Sequence, residues 1–262
     1  MGSRANYVIV DERGWELYFD NGGAVPLLGT FADGPAEVIE FVRETNPAEH
    51  WLDDVWCEGA ALIDSVDHVL LLFTWHHDGV DDRARRLAAI RSAWPGWRIR
   101  WAYGGLEDVV AYLGIDRATV RAAERRHPVL QLQPGDFPII PNCLVTIRQA
   151  DGSVHGHMLD HLHGEPLWAG PGLLDSVAVL TPTQGWERQP DEDLGPELGL
   201  HFDLANREFG FWTAATFNGT VDEIAARWPG WRVEFWEDRH EEQTLRCGTG
   251  FRMFPFEAVS ST

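Results

Sequence analysis

The sequence predicts an α+β protein of two related units, a tandem duplication in which each unit is a mainly antiparallel sheet with one or two packed helices. Three observations carry this expectation. WPGWRIRW at Trp94–Trp101 returns as WPGWRVEFW at Trp228–Trp236, 134 residues later (228 − 94). Both copies follow a helical pattern and lead into alternating apolar and polar residues. Each half also opens on a hairpin-like segment, YVIVDERGWELYF at Tyr7–Phe19 and CLVTIRQADGSVHGHML at Cys143–Leu159.

The elements follow in chain order. The first hairpin turns at Arg13-Gly14, and the connector after it predicts a helix over Pro35–Glu44, with proline at the favoured first position. A second short helix is expected from Pro47 through Trp51 to Trp56. GAALIDSV (Gly59–Val66) begins a strand-rich region, and DDRARRLAAIRSAW predicts the helix before the first WPGW, capped by Asp81 or Asp82. Asp116–Arg126 reads as a basic helix, followed by a proline-rich crossover. In the second half GPGLLDSV (Gly170–Val177) matches GAALIDSV, HFDLANREFGFW supplies strands, and Thr220–Glu223 forms a T-x-x-E capping box. The resulting division is a first unit at 1–115, a linker at 116–141 and a second unit at 142–262.

Within the repeat, proline pushes Trp94 and Trp228 out of the α region, so each helix stops there. Pro95 and Pro229 preset the first turn position, and Gly96 and Gly230 supply the positive φ of a type II turn. Trp97 and Trp231 then start a strand with one apolar and one charged face. The eight residues of the two WPGW copies are therefore structural anchors that join helix to strand.

RANYVIV…WELYF, WLDDVWCEGAALID and WPGWRIRWAYGGLEDVVAYLG together resemble a family of uncharacterised soluble bacterial proteins. The likeness covers most of residues 4–114 and extends more weakly over the second half. It implies a shared fold and no activity. Relatives carry a tryptophan near FDNGGA, where this chain has Asn21-Gly22-Gly23.

Composition excludes several functions. With 44% hydrophobic residues and 13 Trp the chain can build a core, and no apolar run approaches membrane length. The N-terminus shows no signal-peptide pattern, so cytoplasmic residence is the expectation. There are 41 acidic residues against 21 basic ones, for a net charge of −20, and every base is arginine. The absence of lysine removes Schiff-base, P-loop and Ser–Lys chemistry. The negative field disfavours nucleic acid and favours a basic protein partner.

The candidate chemistry is sparse. HGHMLDHLH places His155, His157, His161 and His163 on one face if extended, a possible divalent transition-metal site. It resembles the HxHxDH motif of metallo-β-lactamases, but one residue too many separates His157 from Asp160. His76 and His77 crowd Asp78, Asp81 and Asp82, which read as a helix-start cap, and Asp64 and Asp175 occupy matching DSV triplets as turn or capping residues. Cys57, Cys143 and Ser176 lack a nucleophile motif. Cys57, Cys143 and Cys247 are too few and scattered for a disulfide framework or a CxxC zinc site, and the acidic run Glu237–Glu242 reads as solvated surface or loop. No catalytic residue emerges. The leading expectation is a non-catalytic acidic binding protein of the immunity or inhibitor type. The alternatives are a metal-dependent or acid–base hydrolase with a groove between the units, and a small-molecule sensor.

Overall fold

The computed structural model describes residues 3–122, 143–159, 165–183, 185–186, 196–248 and 252–253. It divides into two compact units, Met1–His77 with Asp82–Arg125, and Asp78–Asp81 with Arg126–Thr262.

The N-terminal part of the chain runs β1 (Ala5–Asp11), β2 (Gly14–Asp20), α1 (Leu27–Thr30), a 3-10 turn at Phe31–Asp33, α2 (Pro35–Glu44), β3 (Asn46–Pro47), β4 (Gly59–Asp64), β5 (Val69–Thr74), α3 (Gly79–Ala93), β6 (Arg98–Trp101) and α4 (Leu106–Tyr112). A second 3-10 turn follows at Arg117–Val120. The second unit runs β7 (Cys143–Arg148), β8 (Val154–Leu159), α5 (Glu165–Trp168), α6 (Gly172–Ala178), β9 (Gly185–Trp186), β10 (Leu198–Asp203), β11 (Glu208–Thr213), α7 (Val221–Arg227), β12 (Arg232–Phe235), α8 (Glu241–Cys247) and β13 (Arg252–Met253). β9 and β13 pair with each other.

The two main sheets share one topology. The first has the order β3-β2-β1-β4-β5-β6, and the second, β12-β11-β10-β7-β8, is the same order read from the other edge without the β3 counterpart. The α+β fold with two similar sheet units stands, but the sheets are mixed. β1 pairs parallel with β4 and β5 with β6, as β7 does with β10 and β11 with β12. A parallel pair needs a crossover, and the connectors carrying α2 and α3 provide it. β4 and β5 are buried along their whole length, as expected of central strands covered on both faces.

The WPGW turn is built identically in both units. Gly96 and Gly230 have φ of 83° and 80°, and the Trp97 and Trp231 amides donate to the Trp94 and Trp228 carbonyls. The Trp94 indole donates to the Phe31 carbonyl at 2.7 Å, and the Trp228 indole to the Leu167 carbonyl at 2.8 Å. Both indoles are fully buried. Trp97 and Trp231 stand edge-on to them, half-buried. The four-residue turns of β4–β5 and β10–β11 also match, with His68 and Arg207 at φ of 50° and 51°. Their carbonyls accept from the Arg98 and Arg232 amides.

Several expected elements differ. GPGLLDSV is not the counterpart of GAALIDSV: it forms α6, burying Leu173 and Val177 at helical spacing, whereas GAALIDSV is β4 and its turn. Its true match is GPAEVIEF at α2. Gly34 and Gly170 precede proline at φ of 99° and 68°, and a Cβ on either would press on the carbonyl just before the buried tryptophan, Ala93 or Arg227. The helix expected over Pro47–Trp56 is absent. Asn46–Pro47 pairs with β2, and the Asp53 carboxylate takes the Val55 and Trp56 amides, a local bond that competes with helix. Of the helix expected over Asp116–Arg126, the described residues 116–122 form only the 3-10 turn, where Asp54 captures the Ala122 amide at 2.8 Å, and residues 123–126 lie outside the described residues. α3 begins at Gly79, so Asp81 and Asp82 lie inside its first turn, and Asp82 pairs with Arg86 at 2.8 Å. The Thr220–Glu223 capping box forms as expected. The proline-rich crossover, residues 127–142, lies outside the described residues.

Candidate functional site

Strand register, not sequence proximity, assembles the most distinctive surface. Trp15 pairs with Val10, Val10 with Asp64, Asp64 with Val69 and Val69 with Arg98. Directly opposed residues share a face, so these five form one line across five strands. Arg100 lies on the same face of β6, two residues on. Tyr112 and Leu113 at the end of α4 close one side, leaving a pocket of about 520 Å³.

The pocket has a rigid centre and unneutralised cations. One Asp64 oxygen accepts the Val66 and Asp67 amides at 2.9 Å each, and the other accepts the Tyr112 hydroxyl at 2.8 Å. Burial, reinforced by the Asp64 charge, pushes the Tyr112 phenol up to about 12, so it remains a neutral donor at physiological pH. Arg98 reaches only the Asp67 carbonyl, at 3.5 Å, and Arg100 is exposed. Neither forms an ion pair among the described residues. Trp15 is 44% exposed, and its ring centroid lies 5.9 Å from that of Trp51.

The second unit fills the same positions differently. Its line reads Val154, Arg148, Asp203, Glu208 and Arg232. Glu208 thus replaces Val69, Glu234 replaces Arg100 and Arg246 replaces Tyr112. Arg232 meets Glu208 at 2.5 Å and Glu234 at 2.6 Å, while Arg246 meets Glu234 at 2.6 Å and stacks 4.9 Å from the Trp236 centroid. Arg148 donates to the Arg246 carbonyl. Arg98, open in the first unit, has a neutralised counterpart in Arg232, and Arg100 is replaced by a carboxylate.

Beneath that network lies a buried polar group. Gln243 accepts from the Trp212 indole at 2.7 Å and donates to Leu144, Thr146 and Leu200 oxygens. His201 Nδ1 lies 3.0 Å from the Thr146 hydroxyl and 3.8 Å from Cys247 Sγ. A Cys–His nucleophile needs a depressed thiol pKa. Here burial raises Cys247, and burial with Arg148 and Arg246 pulls His201 down to about 4, so both are neutral and inert.

That depression has a measurable consequence. An ordinary imidazole titrates near 6.5 and folded His201 near 4, so the unfolded chain takes up the proton first. The associated stability is complete above pH 6.5 and is lost as pH falls toward 4, by about 3 kcal/mol. In urea melts, the wild-type advantage over His201→Gln is expected to shrink between pH 7 and pH 4.5. A difference that ignores pH would refute the assignment.

The other candidates disperse. His155 and His157 lie on one face of β8, and burial, with His155 nearby, lowers the His157 pKa. His161 and His163 lie outside the described residues. Among the described residues no three His, Cys, Asp or Glu side chains converge on a metal-binding point. His76 meets Glu58 at 3.0 Å, and His77 stands edge-on to Trp101. Asp64 caps its turn, whereas Asp175 sits in the first turn of α6. Cys57 is buried, its thiol pushed up to about 12, and Cys143 is buried too. Ser176 bonds back to the Gly172 carbonyl, and among the described residues no helix is long and apolar enough to cross a membrane. Sequence reasoning missed the pocket because its line is drawn from five strands. The one available signal was Arg100 standing where the second copy has Glu234. Comparisons with protein-family models, curated proteins and solved structures found no match.

Proposed function

We propose that the protein acts by binding a small molecule, and that the ligand site is the pocket of the first unit. The contrast between the two copies carries this reading. The same sheet line is a closed charge network in one unit; in the other it is an open surface, with two arginines that have no ion-pair partner among the described residues at one end and an exposed tryptophan at the other. Arginines without a carboxylate partner keep their donors available for an anion, and an exposed indole offers a face for stacking. The buried, neutral His201–Cys247 pair adds no reason to invoke catalysis.

The test is a fragment screen followed by amide, indole and guanidinium NMR. Probes of several charge classes are expected to include some that move the Trp15 indole and the Arg98 and Arg100 side-chain signals together. If every probe leaves these signals unmoved, the pocket is not a ligand site.

A basic protein partner is the second reading. It is supported by the net charge of −20 and by Glu37, Glu40 and Glu44, which stand exposed on α2 opposite buried Val38 and Val42. Its association rate with such a partner should fall steeply with added salt. A salt-independent rate would remove the electrostatic basis.

A further inference from the structure

Taking the first-unit pocket as a ligand site, we infer that it accepts a nucleotide-like anion: a flat ring joined through a hydroxyl-bearing part to a phosphate. Each feature of that chemistry has a counterpart in the pocket. Arg98 and Arg100 stand two residues apart on one strand face, about 6.8 Å between backbones, close enough to hold one phosphate from two sides. Val69 on β5, directly opposite Arg98, offers no carboxylate there, unlike Glu208 in the second unit, and the two carboxylates that line the pocket, Asp64 and Asp67, form no ion pair with either arginine among the described residues. At the far end of the line, Trp15 presents a partly exposed indole already backed by Trp51, a preformed stacking face.

The middle of the pocket selects for hydroxyl groups. Asp64 is saturated by two amides and the Tyr112 phenol, and so has little capacity left for ligand. Asp67 is exposed and lines the pocket, so its carboxylate is a free acceptor for a donor on the ligand. Trp15 and Arg98 are four strand spacings apart, on the order of 19 Å at the backbone, which requires an elongated ligand once the side chains lean inward. A bare anion would leave Trp15 unused, and a neutral ring would leave both arginines unpaired. A volume of about 520 Å³ accommodates a molecule with all three parts.

The probes are adenosine 5′-monophosphate, adenosine, ribose 5-phosphate and inorganic phosphate, titrated by calorimetry and NMR against the whole chain. Adenosine 5′-monophosphate is expected to bind at least tenfold more tightly than each of its parts. Arg100→Glu copies Glu234 of the second unit and should weaken it at least tenfold while leaving adenosine unchanged. Trp15→Ala should weaken adenosine 5′-monophosphate and adenosine but not ribose 5-phosphate. Both positions are exposed, and unchanged melting temperatures would show that the variants fold. Equal affinity for adenosine and its monophosphate, or an Arg100→Glu effect below twofold, overturns the ligand class. If these four probes fail while another fragment shifts Trp15 and Arg100, the class is wrong and the site stands. If nothing shifts them, both fall.

Discussion

Trp228→Ala is expected to destabilise the second unit by about 4 kcal/mol, a loss of the same order as the whole stability of many domains. The indole is completely buried, with its ring centroid 4.5 Å from that of Phe209 and 5.1 Å from that of Phe202. Its N–H also satisfies the Leu167 carbonyl. Removing the side chain creates a cavity and strands that acceptor. Trp228→Phe separates the two contributions, keeping most of the ring and costing about 1–3 kcal/mol for the unpaired carbonyl and lost contact. Trp94→Ala should have a similar effect in the first unit, where the ring stacks on Phe31 and donates to its carbonyl. Equilibrium denaturation monitored by far-UV dichroism gives the values. A cost below 1 kcal/mol for either alanine variant would show that these tryptophans are not the anchors of their units.

Gly210→Leu is the second large effect, and its rescue is more telling than its cost. A Cβ at Gly210 would lie 1.8 Å from Trp236 Cζ2, so even alanine forces the indole to move. The first unit carries Leu71 and Ala102 at the two equivalent positions: Leu71 opposes Arg100 as Gly210 opposes Glu234, and Ala102 bonds back to β5 as Trp236 does to β11. The volume that one unit places on the central strand, the other places after the edge strand. Gly210→Leu alone should cost about 3 kcal/mol or more through overpacking. Trp236→Ala alone should cost about 3–5 kcal/mol through the cavity and the lost Arg246 stack. The double variant, which imports the first unit's pair, should be at least 2 kcal/mol better than their sum. Simple additivity would contradict the exchange.

The features legible in the sequence were those set by local chemistry. Alternation in YVIVDERGWELYF and CLVTIRQADGSV marked both hairpins, and the proline–glycine pair marked both helix stops, because each depends on residues within a few positions. The parallel pairings were not legible, since β1 and β4 are brought together by sheet packing and not by a turn. The letters DSV misled because Asp64 ends a strand and Asp175 sits in a helix, a distinction set by Leu173 and Val177 packing inward at helical spacing. The acidic run at Glu237–Glu242 concealed the start of α8, whose exposed face is charged while Gln243 turns into the core. As for the pocket, β6 showed two arginines on one face in sequence, but their lack of carboxylate partners depends on Val69, a residue on another strand.

The paired indole bonds also bear on how quickly each unit forms. β4 and β5 meet through a four-residue turn, and β1 and β2 through a two-residue loop, contacts that close in microseconds. The Trp94 and Trp228 indoles instead reach acceptors 63 and 61 residues away. Contacts of such separation carry a loop-closure cost that slows the step in which they form. Each indole N–H therefore acts as a clock for topological closure: it gains its partner when the helix-bearing crossover docks on a sheet whose hairpins already exist. In a refolding experiment the two indole signals should mark the late, slow phase in both halves of the chain, and the hairpin amides the early one.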